Sequence, residues 1–100
     1  MNLNKIRVFL QQTSGVKPKQ VTTEARLLHD LYVYGDDAVD FLNYLQQEFG
    51  VDISRFDFQR YFPTEGGFNF IIYFKKKLEQ RYKPLTIQTI LDAIDNGELE

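Results

Sequence analysis

Few side chains in this sequence are equipped for covalent or acid–base chemistry, and they are scattered. There is one histidine, His29, next to Asp30, and there is no cysteine. Disulfides, thiolate metal sites and a cysteine nucleophile are therefore excluded. Imidazole could titrate near neutral pH, but any serine–histidine–aspartate arrangement would have to be assembled around this one ring. His29 reads as an exposed loop residue. Carboxylates gather at Asp36, Asp37 and Asp40. With no partner group and no cleft to be inferred, they define no acid–base pair, and the chain is expected not to be an enzyme. Gly66 and Gly67 lack the flanking strand and the lysine of a phosphate-cradling loop and read as a plain turn. No metal ligand set and no cofactor site can be named.

The basic residues tell a similar story. Lys75, Lys76, Lys77, Arg81 and Lys83, diluted by Glu79, make one cluster. It could contact phosphates, each contact releasing counterions, or it could be the wet side of an amphipathic helix. Twelve Lys and Arg against fourteen Asp and Glu give a net charge of -2, unlike the strongly basic footprint of a nucleic-acid binder. No apolar run approaches the ~20 residues of a membrane span. Residues 1–10 lack the long apolar stretch and small-residue cleavage site of a secretory signal. The expectation is a cytoplasmic protein with no nucleic-acid or membrane partner.

The elements that must position these residues follow from apolar spacing. A hundred residues, 43% hydrophobic and 26% charged, suit one globular domain over 1–100. Leu3, Ile6, Phe9, Leu10 and Thr13 share one helical face, and Ser14 and Gly15 stop that helix. Residues 16–35 read as a long connection pinned to the core by Val16, Val21, Leu27, Leu28 and Leu31. Ala38, Phe41, Leu42, Leu45 and Phe49 form the apolar stripe of a second helix, with Asp36 or Asp37 as cap and Gly50 as terminator. Asp40, Asn43 and Gln47 lie opposite that stripe, flanked by Asp37 and Tyr44.

Phe56, Phe58 and Arg60 alternate with Asp57, Gln59 and Tyr61, which predicts a short extended segment. Ile71, Phe74, Leu78 and Tyr82 are spaced for a helix that Pro84 ends. The aromatic run at residues 68–74 is core, a ligand lining or an interface. A last helix opens at Thr86, carries Ile87, Ile90, Leu91 and Ile94 on one face, and closes at Asn96 and Gly97.

Three runs carry a family resemblance. Gly15, Val16 and Lys17, then Val21 and Thr22, then Asp30 and Leu31 resemble the end of the first helix and the following loop of acyl carrier proteins. Val39, Asp40, Leu45, Glu48 and Phe49 resemble that family's second helix, and Leu85, Thr86 and Ile87 through Ile94, Asp95 and Asn96 its last one. The match covers about residues 4–53 and 84–96. It implies a mostly α, four-helix acyl-carrier-like bundle with an insertion at about 55–83, which could close with a short antiparallel β pair between Phe56–Phe58 and Tyr82–Leu85.

Carriers have Asp-Ser-Leu at the head of the second helix; here Tyr34, Gly35 and Asp36 stand there. Glycine has no hydroxyl with which to attack coenzyme A, so no phosphopantetheine is expected. Gly35 through Ala38, Phe56-Asp57-Phe58, Tyr61-Phe62-Pro63 and Pro84-Leu85-Thr86 resemble, more closely, a small enterobacterial family similar to carriers in fold and without that serine. The resemblance implies a bacterial protein that binds a protein partner through Asp36, Asp37, Val39, Asp40, Asn43, Tyr44 and Gln47. The alternative for the acidic residues is helix capping and a solvated face. The alternative for the whole chain is a small immunity or inhibitor protein that blocks an enzyme or toxin.

Overall fold

The computed structural model describes residues 2–62 and 82–100. Among these residues the fold is helical: α1 (Asn2–Ser14), a 3-10 turn (Pro18–Gln20), α2 (Gly35–Phe49), α3 (Phe58–Tyr61) and α4 (Ile87–Asn96), with no strand. This is compatible with the four-helix carrier-like bundle that the sequence resembles. No helix among the described residues is long and apolar enough to cross a membrane.

In α1 the apolar stripe turns inward, with Ile6 and Leu10 fully buried. Thr13, at the end of the stripe, is exposed, and its hydroxyl donates to the Phe9 carbonyl at 2.8 Å. α1 and α2 stop by the same device. Gly15 and Gly50 sit at φ +68 and +69, where a side chain is disfavoured. The valine after each glycine is buried and bonds six residues back, Val16 N to Leu10 O and Val51 N to Leu45 O, both at 3.3 Å.

The long connection behaves as its apolar residues predict: Val21, Ala25, Leu27, Leu28 and Val33 join the core. Its backbone is tied to the lead-in of α4 by Leu27 N–Leu85 O and Ile87 N–Ala25 O, both 2.9 Å, around an antiparallel bridge between Arg26 and Thr86. The Asp30 carboxylate draws the loop into a knot. It accepts from the Arg26 backbone N at 2.8 Å and from the guanidinium at 2.9 and 3.0 Å. The Arg26 guanidinium, above all, holds the Asp30 carboxyl below its ordinary pKa.

Four expectations need correction. His29 is only 8% exposed, because Leu27, Leu28 and Val33 carry the loop, and the ring with it, into the core. α2 begins at Gly35, and neither Asp36 nor Asp37 caps it; both lie in its first turn. The alternation at 56–61 is not extended: Phe58 opens the single turn of α3. Among the described residues no β pair joins 56–58 to 82–85. Lys83 N donates to Arg60 O at 2.9 Å, and the chain ahead of α4 pairs instead with residues 25–27. The helix expected from Ile71 to Tyr82, the aromatic run and most of the basic cluster lie outside the described residues.

One continuous cluster of buried apolar side chains draws on α1, α2, α4, the loop and Phe62. Phe56 stacks on Tyr61 at 4.8 Å, and Phe58 tilts against Phe62 at 5.1 Å, which roofs that end of the core. After α4, Leu99 is buried and its N–H donates to Asp52 O, while Asp52 N donates to Gly97 O.

Candidate functional site: the outer face of α2

α2 exists because Ala38, Phe41, Leu42 and Leu45 can all be buried together. That burial fixes which residues look outward. Asp36, Asp40, Asn43 and Gln47, spaced four, three and four apart, are all exposed on the opposite side. Asp37 is half-buried in the first turn, and Val39, 44% exposed, edges the face on one flank. The helix holds four carboxylates, Asp36, Asp37, Asp40 and Glu48, and no Lys, Arg or His. Among the described residues only Glu48 is paired, with Lys5 of α1 at 3.3 Å. Asp36, Asp37 and Asp40 make no ion pair with the described residues.

Tyr44 lies on the flank of this face, as the spacing predicts, and its side chain turns toward α1. Its ring stacks on Phe9 of α1 at 4.1 Å and 13°, and meets the Phe49 ring edge-on at 5.7 Å. Its hydroxyl donates to the Lys5 carbonyl at 3.4 Å. Burial, helped by the Glu48 charge, raises its pKa. Beside the stack lies an open groove of about 220 Å³, lined by Lys5, Val8, Phe9, Gln12, Tyr44 and Glu48. Val8 is 52% exposed at its edge. The α1 wall of this groove was missed in the sequence. Its signal was Val8 itself, an apolar residue off the buried stripe.

The head of α2 is where a carrier would bear its group. Gly35 has φ +59 there, and a Cβ would meet no atom within 4 Å. What opposes a side chain is the left-handed backbone, not lack of space. Three residues earlier, Tyr32 is also left-handed at φ 55 and is 42% exposed. The first turn, Gly35, Asp36, Asp37 and Ala38, offers no hydroxyl. Of the serines, Ser14 closes α1 with a buried oxygen, and Ser54 lies in the turn where its N–H donates to Asp52. The residues at the head of α2 do not fit a phosphopantetheine arm.

Two comparisons relate the chain to known proteins. The acyl carrier protein of Thermotoga maritima is 33% identical over 75 residues, which is 75% of this chain and 89% of that protein. No solved structure matches the chain significantly. A family profile described as "protein of unknown function (DUF1493)" matches residues 3–99. The chain therefore belongs to the DUF1493 family, and it is related to the acyl carrier proteins.

Proposed function

We propose that the protein is a carrier-like binding protein that carries no phosphopantetheine, performs no catalysis, and works by non-covalent contact with another protein through α2. The observation that supports this reading most is Gly35, with its left-handed backbone, at the position where the resemblance to carriers puts the serine. A carrier's chemistry needs a hydroxyl at that point, and what remains of the same surface is an exposed face with three carboxylates and no internal counter-charge. Such a face favours encounter with a partner of opposite charge. The contact residues on this reading are Asp36, Asp37, Val39, Asp40, Asn43 and Gln47, with Tyr44 at the margin.

The test is direct. Incubation with a broad-specificity phosphopantetheinyl transferase and coenzyme A should leave the intact mass unchanged. A gain of one arm at any residue would overturn the reading.

A further inference from the structure

The chain makes the same stop three times: after α1, after α2, and at the end of the turn over residues 27–33. Each time a left-handed residue donates to the carbonyl four back, and the buried valine after it donates to the carbonyl six back. After α1 these bonds are Gly15 N–Gln11 O at 3.2 Å and Val16 N–Leu10 O at 3.3 Å. After α2 they are Gly50 N–Gln46 O at 3.0 Å and Val51 N–Leu45 O at 3.3 Å. In the turn they are Tyr32 N–Leu28 O at 3.2 Å and Val33 N–Leu27 O at 2.9 Å. Two of the left-handed residues are glycines, and the third is Tyr32 at φ 55. A side chain crowds the following carbonyl in that conformation, which disfavours it by about five- to thirtyfold.

This strain sits between two anchors. Upstream, Asp30 grips Arg26, and residues 25–27 bond to the lead-in of α4. Downstream, Ala38 is the first buried residue of α2. Between them only Val33 is fully buried; Leu31 and Tyr34 pack on the core in part, and Asp36 is exposed. The first turn of α2 is loosely held as well. Tyr34 gives no side-chain cap, Gly35 is itself left-handed at φ +59, and the Ala38 N–Tyr34 O bond is 3.4 Å long. Few buried contacts and long, exposed bonds are the conditions for local opening.

We infer that Tyr32 and Gly35 form a strained double joint, through which the head of α2 opens as a unit while α1, α4 and the Arg26–Asp30 knot stay in place. Relaxing Tyr32 to right-handed backbone withdraws Val33 and carries Tyr34 to Asp37 outward. The acidic end of α2 therefore has a closed and an opened state, and a partner with unequal affinity for the two selects one of them. The joint belongs to the chain alone and holds whether or not α2 is a contact surface.

Amide hydrogen exchange of the full chain, read residue by residue by NMR, tests it, with the two glycine stops as internal standards. Once intrinsic rates are allowed for, the Val33 and Ala38 amides should exchange at least about tenfold faster than those of Val16 and Val51. Tyr32→Gly, which adopts the left-handed conformation freely, should slow Val33 and Ala38 together by about threefold, after the looser unfolded chain has offset part of the gain. The comparison of the three stops needs no variant. Equal protection at Val33, Val16 and Val51 overturns the inference. So does a Tyr32→Gly chain in which Val33 exchanges as fast as before or faster, which would make the tyrosine ring a brace of the turn.

Discussion

α4 and α2 share one core, yet their first turns are built on different principles. At α4 the Thr86 hydroxyl accepts from Thr89 N at 3.1 Å, a neutral cap made by a side chain in extended backbone. At α2 the residue before the helix, Tyr34, gives no side-chain cap, Gly35 is left-handed, and Asp36 and Asp37 supply negative charge instead. Both devices answer the exposed N–H groups of a helix start. A hydroxyl cap satisfies its donor and is finished. A field from exposed carboxylates reaches outward and can still act on something else. The contrast marks α4 as framework and the head of α2 as surface.

The contrast vanishes in the core, where the largest effect lies. Phe41→Ala should cost about 3–5 kcal/mol and Ile90→Ala about 2–5 kcal/mol in urea melts, since both side chains are fully buried. Unequal losses, with Phe41→Ala costing under about 1 kcal/mol, would mean α2 is not part of the same cooperative unit. Next comes Gly35→Ser, which should destabilise by about 1–2 kcal/mol because a residue with Cβ is forced to φ +59. A stabilising Gly35→Ser would show that α2 can take the same hydroxyl cap as α4, and the contrast would collapse.

Thr86→Ala should cost about 1 kcal/mol at any ionic strength. Asp36→Ala should cost about 0.3–1 kcal/mol at low salt, and that cost should fade as salt is added. Equal salt response in the two variants would break the distinction between cap and field. The smallest effect is in the framework loop. The Asp30 pKa is depressed from its ordinary 3.8 in the folded state, so its contribution is complete above that value and is lost as pH falls through the lower, folded one. The pair is partly exposed, which limits the loss to about 1 kcal/mol or less. Asp30→Asn should therefore flatten the acid limb of stability below about pH 4, and an unchanged limb would remove the Arg26–Asp30 knot from the framework.

What the sequence made legible was whatever depends on neighbours along the chain. The stripes of α1, α2 and α4, the Thr86 cap and the Gly50 stop are all local patterns, and all are present. The start of α2 was misplaced because aspartate is a good cap in general, while a left-handed glycine leaves no periodic trace. α3 is one turn long, and over so few residues Phe56 and Phe58 fit period two as well as a helix. The pairing of 25–27 with 85–87 joins residues some sixty positions apart, which no local pattern encodes, and His29 is buried with the loop that this pairing ties down. Within the candidate site the exposed row from Asp36 to Gln47 was legible from spacing. The turning of Tyr44 onto Phe9 was not, because it is set by where α1 packs.

The bond from Lys83 N to Arg60 O, at 2.9 Å, joins the last turn of α3 to the chain just ahead of α4. Residues 25–27 hold the same approach to α4 from the other side, through Leu27 N–Leu85 O and Ile87 N–Ala25 O. The start of α4 is therefore anchored by backbone bonds to two separate parts of the chain, and its position does not depend on side-chain packing alone.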